Sequence, residues 1–262
     1  MWIDSHCHLD APEFDADRDE VVARARSAGV SAIVNLPGHV DHFAQAKSTR
    51  ERYGKDFCIT GYGIHPMWVT GPGGVSAREH IAVLREWVER EKPDLIGEIG
   101  LDFFIPNFNQ AEQEWFYAEQ LKIARDFDLP VSLHVRRSQD HLLKHLRRIK
   151  VRGGFAHAFN GSQQQAEEFV KLGFCLGFGG TATYPQANNV RRLLRDMPLE
   201  NIVVETDAPD IPPSFLGTMG SRARNAPEHV ARIGAMLAEV RGITVEAFAE
   251  ATTANARRVL GR

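Results

Sequence analysis

The stretch Trp2-Ile3-Asp4-Ser5-His6-Cys7-His8 sets the pattern for the chain: a short apolar run followed at once by residues able to bind a metal. A run this short reads as a β-strand over Trp2–Ser5. Side chains alternate along a strand, so His6 and His8 share a face and can reach one ion. Cys7, between them, points the other way and reads as a packing residue.

Working outward, similar short runs recur at Ala32–Leu36, Phe57–Tyr62, Leu95–Gly97, Val131–Leu133, Gly154–Ala156, Phe174–Leu176 and Ile202–Val204, giving eight in all. Longer segments with helical periodicity separate them. Ser76-Ala77-Arg78-Glu79 and Ser162-Gln163-Gln164-Gln165 read as capping boxes at helix starts. Gly29, Gly54 and Gly173 follow helical runs, where a left-handed cap wants glycine. Pro227–Val240 and Thr244–Leu260 read as two closing helices, and Ala208–Asn225 is the longest irregular stretch. Strands alternating with helices imply a parallel sheet with helical crossovers. Eight units of about 33 residues suit a (β/α)₈ TIM barrel with C-terminal closing helices, one α/β domain over residues 1–262. A doubly wound open sheet is the alternative, but no glycine-rich nucleotide loop follows the first strand.

Composition narrows the function. Hydrophobic residues make up 43% and charged residues 25%, which suits a globular domain with a substantial core. No apolar run approaches the roughly 20 residues of a membrane span, and no signal-peptide pattern opens the chain. Three widely spaced cysteines (Cys7, Cys58, Cys175) give no disulfide framework, so a cytoplasmic location is expected. With 31 basic and 34 acidic residues the net charge is −3, so any contact with nucleic acid must be local or carried by metal ions.

A barrel places its active site at the C-terminal rim of its strands. The residues there are His6 and His8 after strand one, Glu98 after strand four, His134 after strand five, His157 after strand six, and Glu205 and Asp207 after strand eight. One such histidine alone would read as structural. Four histidines with two or three carboxylates at five strand ends exceed what one ion needs and suit two divalent ions bridged by a carboxylate. Imidazole with carboxylate, without thiolate, suits zinc or manganese, with magnesium also compatible.

These residues lie in motifs that resemble those of the TatD-type metal-dependent deoxyribonucleases, of the amidohydrolase-like superfamily. The motifs are Asp4-Ser5-His6-Cys7-His8-Leu9-Asp10, Gly63-Ile64-His65-Pro66, Gly97-Glu98-Ile99-Gly100-Leu101-Asp102, His157-Ala158-Phe159-Asn160-Gly161-Ser162 and Glu205-Thr206-Asp207-Ala208-Pro209. The resemblance spans essentially the whole chain. It implies that His6, His8 and Asp207 hold a first metal, that His134 and His157 hold a second, and that Glu98 bridges them. The chain departs from the family pattern at Ala158 and Asn160, at Ala226 in Arg224-Asn225-Ala226-Pro227, and at Val135-Arg136-Arg137 after His134. No ligand is lost, so these changes bear on substrate preference.

The expected activity is hydrolysis of DNA phosphodiesters by metal-activated water, as a 3′–5′ exodeoxyribonuclease on single-stranded or frayed ends, with no membrane and no obligate protein partner. Asp207 is the expected general base, with Glu205 behind it. His65, Arg136 and Arg224 are the expected substrate contacts, and Phe103 and Phe104 are candidates for base stacking. The alternatives are a metal-dependent amidohydrolase or phosphoesterase acting on a small molecule, and a non-catalytic barrel. The intact ligand set argues against the last.

Overall fold

The computed structural model describes residues 1–70 and 75–262. All eight expected strands are present: β1 (Trp2–Cys7), β2 (Val30–Asn35), β3 (Cys58–Tyr62), β4 (Leu95–Asp102), β5 (Val131–Arg136), β6 (Gly154–Ala156), β7 (Phe174–Phe178) and β8 (Ile202–Val204). They pair in parallel and in sequence order. The sheet then closes on itself. The Asp207 amide donates to the His6 carbonyl at 2.9 Å, the His8 amide donates to Ala208 at 2.8 Å, and a parallel bridge joins Cys7 to Ala208.

The helices, among the described residues, are α1 (Arg18–Ser27), α2 (Phe43–Tyr53), α3 (His80–Glu91), α4 (Gln110–Asp126), α5 (Gln139–Arg148), α6 (Gln163–Lys171), α7 (Asn188–Asp196), α8 (Val230–Arg241) and α9 (Val245–Leu260). The strands are covered on both faces, which is why their residues are buried almost without alternation. Ile3, Val34, Ile59, Leu95, Phe155 and Val203 fill the barrel and meet Ala256, Val259 and Leu260 of α9. Asn255 of α9 ties that contact down by donating to the carbonyls of Leu199 and Ile202, both at 2.8 Å.

Local signals were kept in most places. Ser162 and Gln165 form the expected capping box at the start of α6. The second box does not form. Ser76 is paired with Thr70 in an isolated antiparallel bridge, and its hydroxyl donates to Glu112, a carboxylate that Arg78 also grips at 2.9 and 3.0 Å. A charged acceptor in tertiary contact has outcompeted a local cap, and α3 starts later, at His80.

The ligand-bearing strands also run further than expected. His6, Glu98 and His134 lie inside β1, β4 and β5 rather than beyond them. In β1 and β4 the ladder shifts register beside the ligand, between Asp4 and Cys7 and between Ile96 and Ile99. Such bulges re-aim side chains at barrel rims, and here they turn His6 and Glu98 into the mouth.

Candidate metal centre

Seven polar side chains meet at the mouth. Glu98 is the hub. Its Oε2 lies 3.2 Å from His6 Nε2 and 3.6 Å from His8 Nε2, and its Oε1 lies 2.7 Å from His134 Nδ1 and 3.6 Å from His65 Nε2. Asp207 Oδ1 forms the second focus, 3.6 Å from His6 Nε2, 3.4 Å from His8 Nε2 and 3.6 Å from His157 Nε2. Three overlapping triads have ligand atoms close enough for one ion: His6, His8 and Asp207; His6, Glu98 and His157; and His65, Glu98 and His134. The first is the set expected for metal one. His134 and His157 approach Glu98 from separate triads, and His65, expected to be a substrate contact, reaches the same cluster.

Behind this ring stands a second layer that fixes each imidazole. His8 Nδ1 donates to the Leu36 carbonyl at 2.6 Å. His134 Nε2 faces Asp102 at 3.0 Å, His157 Nδ1 faces Glu205 at 3.0 Å, and His6 Nδ1 faces the Ser132 hydroxyl at 3.1 Å. In each case the outer nitrogen is held by an acceptor-capable group, so in the neutral ring the proton sits outward and the inner lone pair faces the centre. The donor set therefore fits divalent metals: imidazole lone pairs and two carboxylates, preorganised and mostly buried.

Electrostatics agree with this. Burial opposes charge on Glu98 and Asp207, yet the surrounding imidazoles hold both carboxyls below their usual range. Burial likewise opposes charge on His8 and His157. Asp207 and Glu98 push His8 up to about 10, and Asp207 and Glu205 push His157 up to about 10. Burial and the neighbouring His157 lower His6, and burial lowers His65 to about 3. Without metal, protons take the place of cations between the carboxylates.

Two expectations need correction. Glu205 stands behind the centre, as expected, but not by the strand parity that suggested it. β8 ends at Val204 and Asp207 takes a left-handed backbone, φ 59°, so the strand parity that would align residues 205 and 207 is broken. Glu205 instead accepts from His157 and from the Ala158 amide at 2.6 Å, and its role is to hold His157. Gly177 and Gly179 leave the space for it; a Cβ at Gly177 would sit 2.1 Å from Glu205 Oε2. Arg224 is not free for substrate. Its guanidinium makes two bonds to the Asp17 carboxylate, at 2.7 and 2.6 Å, and one to the Glu13 carbonyl, so it anchors the loop that follows β8.

Two residues carry roles that the sequence reading did not assign. Asp102, at the end of the Gly97–Asp102 motif, orients His134; its spacing of four from Glu98 along one strand is the available signal. Asp4 accepts from the amide and hydroxyl of Thr206 and staples β1 to the end of β8; burial raises its pKa to about 8.

The centre opens into a cavity of about 1020 Å³. On its β4–β5 side Arg136 stacks over Phe104 at 4.0 Å from the ring centroid, with Arg137 over the same ring at 4.5 Å. Phe104 is 46% exposed and lines the cleft, with both guanidiniums resting on its ring. The opposite lining carries Asp10, Glu13 and Asp210. The cleft thus carries two cations where β4 and β5 end and carboxylates where β1 and β8 end, the latter beside Arg222 and Arg224.

The chain matches the family model described as TatD related DNase over residues 3–261. It is 39% identical to an uncharacterized metal-dependent hydrolase, YjjV, of Escherichia coli K12, over 97% of this chain and 95% of that protein. It is 31% identical to the human deoxyribonuclease TATDN3, over 98% of this chain and 93% of that one. The crystal structure of the E. coli YjjV protein superposes with a TM-score of 0.90 at 37% identity, covering 100% and 98% of the two chains.

Proposed function

This chain belongs to the TatD-related DNase family and is a metal-dependent hydrolase, and from that premise we propose that it cleaves phosphodiester bonds at the ends of DNA strands, removing nucleotides from the 3′ end. The observation that carries the reading is the one-sided cleft. Arg136 and Arg137 lie over the Phe104 ring beside the ligand cluster, while Asp10, Glu13 and Asp210 line the cleft on the β1 and β8 side. A strand whose phosphates follow one wall and whose path is blocked by charge at the other is bound by its end.

In this reading His6, His8 and Asp207 would hold one divalent ion, His134 and His157 would hold a second, and Glu98 would serve both. Magnesium, manganese or zinc, when bound, would supply a water-derived nucleophile near neutral pH and polarise the phosphoryl group. Asp207 receives the proton of the attacking water on its carboxylate. Glu205 keeps His157 oriented, and Asp102 does the same for His134. Arg136 binds a phosphate, and the Phe104 ring beneath its guanidinium holds it in place. The leaving 3′-oxygen takes up a proton, from the Asp207 carboxyl or from solvent, so the products are a nucleoside 5′-monophosphate and a strand shortened by one residue.

The test is hydrolysis of an end-labelled single-stranded oligonucleotide by metal-stripped protein resupplied with magnesium, manganese or zinc, with Asp207→Asn alongside. A ladder shortened from the 3′ end, absent in the variant, supports the reading. An intact oligonucleotide with metal verified in the protein overturns it in favour of a smaller ester or amide substrate.

A further inference from the structure

His65 breaks the rule that the other four histidines of the centre obey. His6, His8, His134 and His157 each turn the outer nitrogen toward a hydroxyl, a carbonyl or a carboxylate. The outer nitrogen of His65, Nδ1, faces a backbone amide instead: Met67 N–H donates to it at 3.1 Å. A backbone N–H can only donate, so Nδ1 must offer its lone pair, and the ring proton resides on Nε2. The arrangement is built into the chain. His65 caps the short 3-10 turn Pro66–Trp68, and its own amide donates to the Gly38 carbonyl at 2.9 Å. Gly38 packs so closely that a Cβ there would lie 3.2 Å from His65 Cβ. The Met67 amide holds Nδ1 outward.

Nε2 of His65 points into the cluster, 3.0 Å from His134 Nδ1 and 3.6 Å from Glu98 Oε1. By distance alone it belongs to a third metal triad. Its proton argues otherwise, since a ligand needs the lone pair there. Resting on the phosphodiesterase reading above, we propose that His65 is not a metal ligand but a catalytic hydrogen-bond donor, whose Nε2–H engages an oxygen of the scissile phosphoryl group. When His134 commits its Nδ1 lone pair to a metal, that nitrogen can no longer accept from His65. The donor then needs a new acceptor, and it is already aimed at the place where the phosphoryl oxygen gains charge. A fixed donor at such a position, needing no reorganisation, acts mainly on the transition state.

The experiment compares wild type, His65→Ala and His65→Gln, the last retaining an N–H donor. Each is stripped, reloaded with manganese and counted by elemental analysis. Inorganic phosphate binding to the loaded proteins is then measured by calorimetry, and kcat and KM on an oligonucleotide are measured separately. The expected result is an unchanged metal count in both variants, weaker phosphate binding in His65→Ala, a fall in kcat of about 100-fold with KM changed far less, and partial recovery in His65→Gln. Loss of a metal equivalent in both variants would make His65 a ligand and overturn the proposal, as would phosphate binding equal to wild type. Wild type that binds metal and phosphate but leaves the oligonucleotide intact would instead count against the phosphodiesterase reading, while the metal count and phosphate affinity still decide the role of His65.

Discussion

On the floor of the cleft each ligand histidine is held at both nitrogens, one by the centre and one by a group behind it; on the wall, Arg136 and Phe104 are about half exposed and hold mainly each other. The floor comes from strands and from bulges in strands. The wall comes from the segments that leave them. What differs is how much of the geometry is fixed before a substrate arrives. A preorganised floor acts on the transition state, whereas a half-exposed wall adjusts to what it binds and sets affinity. The two regions should therefore fail differently when altered.

The largest effect belongs to the floor. Asp207→Asn keeps the shape of the side chain but removes both the charge that faces three histidines and the acceptor for the water proton. Turnover should fall by about 1000-fold or more with the fold retained, measured as kcat on an oligonucleotide at saturating metal with circular dichroism as the control. Wild-type kcat in this variant would show that the floor does not carry the chemistry.

One layer back the effect should shrink. Glu205→Ala leaves every proposed ligand in place but frees His157 to rotate. Metal affinity should drop by roughly 10- to 100-fold, read by competition with a chelating dye, while kcat at saturating metal falls less. An equal loss in kcat at full loading would mean that Glu205 acts on the substrate directly, against its position behind His157.

The uneven legibility of the site follows from the same layering. His6, His8, Glu98, His134, His157 and Asp207 were readable because a ligand needs a particular residue type at a particular place on a strand, and both are written locally. The groups behind them were not. Leu36 holds His8 through a backbone carbonyl, which any residue has. Glu205 is expected behind the centre, but the histidine it holds, His157, is not legible, because strand parity fails where Asp207 leaves the strand geometry. Arg224 was read as a rim cation because its partner, Asp17, lies 207 positions away and no local pattern announces that pair. The barrel itself was legible almost in full, since eight apolar runs with helical spacers admit few other closures.

Protonation gives the floor a dependence that the wall lacks. His8 and His157 both titrate near 10 in the metal-free protein, above the unfolded value near 6.5, so at neutral pH each holds a proton that ligation must expel. Metal affinity should therefore rise with pH by up to about tenfold per unit for each proton, and level off above about 10. The linkage for folding has the opposite sense. A raised histidine pKa stabilises the metal-free fold fully below about 6.5, and that contribution is lost as pH rises through 10. Manganese titrations at pH 6, 7 and 8 check the first, and urea unfolding of the metal-free protein checks the second. Affinity independent of pH would mean that the imidazoles enter the metal-free state already neutral.

The smallest effects separate two arginines that the sequence could not tell apart. Arg136 is 51% exposed at its side chain, stacks on Phe104 and lies 3.6 Å from Asp102, so it keeps donors available to the cleft. Arg224 spends its guanidinium on Asp17 and on the Glu13 carbonyl. Arg136→Ala should raise KM for an oligonucleotide several-fold, by about the worth of one charge-assisted contact, with kcat nearly kept. Arg224→Ala should leave both constants within about twofold, since its ion pair is exposed and does not face the ligand cluster. If the two variants lose affinity equally, the loop after β8 carries a phosphate contact after all and the cleft is cationic on both sides. A strand could then pass through rather than end there, and the exonuclease reading would give way to an endonuclease.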